Sequence, residues 1–269
     1  MATMTAEPSG IPVREEHHPQ PFIRKYIFST DHKIIGIQFL FTTLFFLLIG
    51  GLLAVMLRFQ LGFPGEAMPG GSILPETMAP GGIILPEFYV SLVTMHGTFM
   101  VFFAIMPLLV GVYANYLIPI EIGTHDMAFP RLNMISFWLF LVSGLIMLSS
   151  FWMVGGASRS GWTQYAPLSA NPDASGVFMG QILWCVSIAI FGFSSLLGSI
   201  NYITTVINQR APGMTWFRLP LVIWALFITA ILGLLAVPVL TAAVIMLLFD
   251  QTIGTTFFLP GGGGQPLLW

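Results

Sequence analysis

Residues 34–57 read IIGIQFLFTTLFFLLIGGLLAVML, 24 consecutive positions without a Lys, Arg, Asp or Glu. A bilayer core about 30 Å thick is crossed by about 20 apolar residues of helix rising 1.5 Å each. The run is continuous, with none of the period-2 alternation of a barrel strand. Four further stretches share its character: 88–117, 135–154, 177–207 and 219–249. Pro107 and Pro238 fall inside the second and fifth, as a packed membrane helix permits. The expected fold class is therefore an all-α polytopic membrane protein with five transmembrane helices.

Composition agrees. Of 269 residues, 56% are apolar and 7% are charged, and mean hydropathy is +0.87; an average soluble domain is about 25% charged. So few charges cannot cover a water-soluble globule of this size, which excludes a soluble enzyme and a disordered chain. A net charge of −2 without a basic stripe excludes nucleic acid as a partner and leaves membrane lipid as the surroundings. The single cysteine, Cys185, excludes a disulfide framework and a Cys-rich metal site. Segment 1–28 is polar and lacks the apolar core of a secretory signal, so it reads as a tail preceding a membrane domain over 29–269. Seven basic residues (Arg14, Arg24, Lys25, Lys33, Arg131, Arg210, Arg218) fall on one side of the expected spans. Only Arg58 and Arg159 fall on the other. Lys and Arg accumulate in cytoplasmic loops, which places the N-terminus inside.

A few polar residues stand out. His96 lies within the second span, nine residues past Glu87 and so about 14 Å along the helix. An intramembrane imidazole either bonds a neighbouring helix or ligates a metal or haem iron, and position alone leaves both open. Gly97, Ala104 and Gly111 recur every seven residues and read as one stripe of close helix approach. Asp126 lies in an inside loop. Asn115, Asn133, Ser136, Ser194, Ser195, Ser199, Asn201 and Tyr202 fall in the inner half of their spans. Such groups either bond across helices or hold a file of waters leading from the carboxylate. Arg58 and Trp162 fall at outer span ends, where Arg snorkels and Trp joins an aromatic belt. His17, His18 and His32 read as solvated surface and His125 as a loop residue.

Six ordered blocks carry a resemblance: STDHKIIG (29–36), MHGTFM (95–100), IGTHDMAFPRLN (122–133), GWTQYAPL (161–168), SSLLGSINYITT (194–205) and TTFF (255–258). Together they resemble subunit I of the haem–copper oxidases, and the cytochrome c oxidase branch most. The resemblance implies a twelve-helix bundle in the complete subunit, of which these five spans are the first part. It implies a low-spin haem, haem a, with His96 as an axial ligand of its iron. Arg58 is implied at its formyl group, and Tyr89 and Trp162 beside the ring and its propionates. It implies a proton path entered at Asp126 and lined by Asn115, Asn133, Ser194, Ser195 and Asn201. It further implies oxidase subunits II and III as partners, cytochrome c as electron donor, and a bacterial inner (plasma) membrane. Ligands for the high-spin haem and for copper B have no counterpart in the sequence, so the haem–copper centre is expected beyond Trp269 and this length alone is expected to be inactive. The alternatives are a quinol oxidase of the same superfamily, disfavoured by Phe88 and Ser91 where quinol users carry His and Gln, and a cofactor-free transporter or structural membrane module.

The orientation is directly testable. Reporter fusions after Asp126 and after Gln209 should both read cytoplasmic, and one after Ser72 external; the reverse pattern would invert the expected topology.

Overall fold

The computed structural model describes residues 21–269; the segment before it, with His17, His18 and Arg14, lies outside the described residues. Five helices are long and apolar enough to span a membrane: α1 (His32–Gly62), α2 (Pro86–Ile122), α3 (Pro130–Trp152), α4 (Met179–Asn208) and α5 (Leu221–Thr252). Among the described residues there is no β-strand.

Most helices run past the apolar stretches, because their ends are set by backbone hydrogen bonds rather than by hydropathy. The carboxylate of Asp31 caps α1, accepting from the amides of Lys33 at 2.8 Å and Ile34 at 3.4 Å. Two of the four amides that a helix start leaves open are satisfied in this way. Pro86 and Pro130 open α2 and α3 at positions where a missing N–H costs nothing. Gly123 closes α2 in the left-handed conformation (φ +76°), and Thr124 N–H reaches back to Pro119 O at 2.9 Å. At the fourth and fifth spans the helices begin two residues later than the apolar stretches, at Met179 and Leu221. Val177 instead bonds the Ser175 hydroxyl, and Leu219 closes a turn on Trp216.

Consecutive helices run antiparallel. α1 lies along α2 and touches α3, while α4 packs on both α3 and α5. Phenylalanines fill the centre. Phe46, Phe99, Phe103, Phe140 and Phe191, drawn from four helices, stack, tilt or meet edge to face with centroids 5.4–6.4 Å apart. A second core joins the other end of α2 to α4 and α5 through Ile118, Tyr202, Val206, Ile223 and Phe227.

The middle of α2 is π-helical over Phe99–Ile105 and Pro107–Val112. Pro107 has no N–H to continue the α ladder, so the hydrogen bonds widen around it. This corrects the reading of Gly97, Ala104 and Gly111 as one stripe. A seven-residue repeat holds one face only while each residue turns about 100°. Through the wider winding Gly97 comes to face Trp162, and Gly111 comes to face Phe39 on α1, each so closely that an added Cβ would stand 2.8 Å away.

α1 and α3 approach closely at Gly144, whose added Cβ would collide with the Phe46 ring. Gly144→Leu overpacks this point and should lower stability by about 1–3 kcal/mol, seen as a lower thermal midpoint in detergent. An unchanged midpoint would mean that this packing does not hold α1 on α3.

Candidate functional site

Two polar groupings lie at different depths of the bundle. The first centres on His96, whose half-buried side chain faces α1. Its Nδ1 lies 2.8 Å from the carbonyl oxygen of Gly50, and since a carbonyl only accepts, Nδ1 carries the proton. That fixes the neutral tautomer and leaves the Nε2 lone pair as the free coordinating position. Metal-bound histidines are characteristically oriented by this kind of second hydrogen bond. Gly50 is where α1 and α2 come into contact: an added Cβ would lie 2.8 Å from the sulfur of Met100.

Trp162 reaches the same region from the loop between α3 and α4. Its Cβ and Cγ pack on Gly97, the residue after His96, and its ring lies 6.4 Å from that of Phe102. The loop is held there by Gly161 N–H, which donates to the hydroxyl of Thr94, one turn before Thr98, at 3.0 Å. The Trp184 indole donates to Thr98 at 3.0 Å. Tyr89 is partly buried two turns before His96 on α2 and packs against the core. Arg58 is exposed, two turns past Gly50 on α1. Among the described residues no three His, Cys, Asp or Glu side chains converge, so His96 is not part of such a cluster.

The second grouping begins in the loop between α2 and α3. The Asp126 carboxylate accepts from Met127 N–H at 2.7 Å. Burial raises its pKa above the ordinary carboxylate value, against the opposing pull of that amide and of neighbouring His32. Phe129 N–H donates to Asn201 at 2.8 Å and Ala128 N–H to Thr205 at 2.9 Å, which ties the loop to α4. Above the loop lie Asn115, Asn133 and Asn201, all fully buried. Asn115 donates to the Tyr202 hydroxyl at 2.9 Å. Yet Asn115 Oδ1, both amide atoms of Asn133 and Asn201 Nδ2 have no partner. Buried amide atoms left in this state mark places where water belongs.

Further along, Ser194 on α4 donates to Ser136 O on α3 at 2.6 Å. Ser136, Ser194, Ser195, Ser199 and Tyr202 form the polar wall of a cavity of about 90 Å³. One water needs roughly 10–15 Å³ of such space, so a short file fits. Ser194 and Ser195 share this cavity with Tyr202, which Asn115 contacts, and Asn201 holds the loop that carries Asp126.

Sequence reasoning missed His32. Read as solvated surface, it is 3% exposed, and its Nδ1 lies 2.8 Å from Asn115 O. The signal was available: it directly follows the capping Asp31, so it had to lie in the first turn of α1 rather than in the polar tail.

Known proteins match over nearly the whole length. The sequence profile of the family described as Cytochrome C and Quinol oxidase polypeptide I matches residues 34–269. Cytochrome c oxidase subunit 1 of Thermostichus vulcanus is 39% identical over 97% of this chain, and that of Synechocystis 42% over 94%. The heme-copper oxidase subunit I+III of Aeropyrum pernix is 41% identical over 92% of the chain. The match covers 44%, 42% and 28% of those three proteins, so the chain spans less than half the length of its relatives. An all-helical membrane bundle and a profile match over 34–269 together place this chain in the cytochrome c and quinol oxidase polypeptide I family.

Proposed function

We propose that this chain is part of the catalytic subunit I of a proton-translocating terminal respiratory oxidase, in which electrons from cytochrome c reduce O₂ to water. The observation that carries this reading is the His96–Gly50 hydrogen bond, which gives an intramembrane imidazole a fixed tautomer and a free Nε2. These residues fit a haem: a nitrogen donor at membrane depth, with Trp162 packed on the adjacent Gly97 and partly buried Tyr89 two turns earlier on α2. A low-spin haem held there, taken as haem a, would supply a one-electron carrier between the donor and the oxygen-reducing centre. In this reading His96 ligates the iron and Gly50 holds the imidazole plane. Trp162 and Arg58 would be the aromatic and the cationic side chains that hold and tune the haem. The high-spin haem and copper B are assigned to the part of the relatives' length that this chain does not span, and residues 1–269 alone are taken to be inactive on that reading. Oxidase subunits II and III complete the assembly, in a bacterial inner membrane with the N-terminus cytoplasmic. The polar segment 1–28 then precedes a membrane domain over 29–269.

Asp126 collects protons. A carboxylate whose pKa is raised by burial holds and releases a proton closer to neutral pH than an exposed one. Beyond it, Asn115, Asn133 and Asn201 offer the unpartnered amide atoms, and Ser194 and Ser195 the cavity wall, along which waters relay the proton inward. The quinol alternative finds no support at the positions that would bind the donor. Phe88 is buried in the core, and the Ser91 hydroxyl is spent on Ala157 O at 3.1 Å.

Two substitutions in the full-length complex test the two halves of the reading. His96→Leu keeps the volume and the membrane fit but removes the nitrogen, and should abolish the low-spin haem spectrum while the bundle still inserts. An unchanged spectrum would return His96 to a helix-bonding role, as in a cofactor-free transporter or structural module. Asp126→Asn keeps the shape without the proton. Turnover and inside proton uptake should fall by about 10²-fold or more, with haem content and donor-driven haem reduction unchanged. Full turnover in that variant would leave Asp126 a loop charge.

A further inference from the structure

The region around Arg159, at the opposite end of the bundle from Asp126, takes no part in the haem or proton assignments. Arg159 Nη2 donates to Gly155 O at 2.8 Å, a neutral acceptor that leaves the charge unbalanced. The guanidinium lies among glycine backbones. A Cβ added at Gly176 would stand 3.8 Å from Nη1, and one at Gly156 would stand 4.0 Å from Nη2. Gly155 and Gly156 sit at φ +86° and +80°, a conformation that L side chains rarely adopt, so the backbone here stays bare. Nε is buried and has no partner.

This side chain forms one wall of a cleft of about 360 Å³, whose other walls include Met78, Phe88, Trp152, Met153 and Val154. Trp152 ends α3 at 68% exposed, and Val154 just beyond it is 95% exposed. The cleft therefore has a cationic end and an apolar side opening where a spanning helix finishes. That is the level of lipid headgroups, where Trp rings concentrate. An uncharged apolar ligand would leave the guanidinium charge unmatched, and a free small anion would leave the apolar walls bare. An amphiphile satisfies both.

We propose that this cleft is a binding site for one phospholipid, its phosphodiester on Arg159 and an acyl chain against Trp152 and Val154. Guanidinium and phosphate match in shape: the terminal nitrogens Nη1 and Nη2 present donors to two phosphate oxygens. Met78 comes from the Gly/Pro-rich loop 62–86, folded back on itself by Met68 N–H to Gly82 O at 2.9 Å and Leu85 N–H to Met78 O at 3.1 Å. The loop thereby gains a part as one wall of the lipid cleft.

The test uses the full-length subunit in its assembled complex, delipidated in detergent and titrated with phosphatidylglycerol. Bound lipid is counted by native mass spectrometry. The wild type should retain one more phosphatidylglycerol than Arg159→Gln, with equal haem content. Val154→Asp, at an exposed position of this chain, should lose the same lipid while Arg159 remains, with haem content as the control for folding. Excess inorganic phosphate should displace nothing. Equal retention in the wild type and both variants would overturn the proposal, and so would displacement by inorganic phosphate, which would make this a free-anion site.

Discussion

The hydrogen bond from His96 Nδ1 to the Gly50 carbonyl, 2.8 Å long, joins α1 to α2 at the depth where no water is available to replace it. A helical carbonyl already accepts from its own ladder, so the imidazole takes its second lone pair. The bond requires the two helices to touch at a residue without a side chain; the sulfur of Met100 occupies the space a Cβ would need. Close approach here sets the spacing for the Phe46, Phe99 and Phe103 rings below it. It also sets the plane of the imidazole. One contact therefore governs both the packing of the first helix pair and the direction in which the coordinating nitrogen points.

The same rule, that a polar group in hydrocarbon must find its partner inside the protein, explains what happens elsewhere. Most hydroxyls obey it locally: Thr94, Thr98, Ser143 and Ser150 bond carbonyls three or four residues back on their own helices. Ser187 and Ser194 reach across from α4 to α3. At the loop end, Ser158, Gln164 and Gln181 close a buried triangle with edges of 2.7–2.8 Å. Against this background Asn115, Asn133 and Asn201, all fully buried, stand out among the side chains that keep unpartnered polar atoms. Asn201 holds the loop that carries Asp126, and Asn115 bonds Tyr202 on the wall of the serine-lined cavity, which is where the proposed aqueous path would run.

Much of this was legible in the sequence. Uninterrupted apolar runs gave five helices, because length and charge exclusion at membrane scale leave few alternatives. The ends were less legible. Asp31 starts α1 inside a polar stretch through a side-chain cap, and hydropathy does not register capping. The π-helical winding around Pro107 was invisible to a periodicity argument that assumed 3.6 residues per turn, which is why Gly97 and Gly111 part company. For the site, residue type and depth singled out His96, but its partner Gly50, 46 positions earlier, could only come from the packing. His32 went unseen because it precedes the apolar run although it is folded into α1 beneath Asn115. Arg159 reads as a loop charge until the glycine backbones and the cleft beside it are seen together.

The central claim is that His96 presents Nε2 to a haem iron while Nδ1–H remains on the Gly50 carbonyl. Cryo-electron microscopy of the full-length subunit in its assembled complex tests this most directly. The account predicts porphyrin density with its iron on His96 Nε2, the imidazole still turned toward Gly50, and Trp162 at the ring edge. A fully assembled complex with every porphyrin placed away from His96, or one with iron on Nδ1 and the Gly50 bond broken, would contradict it.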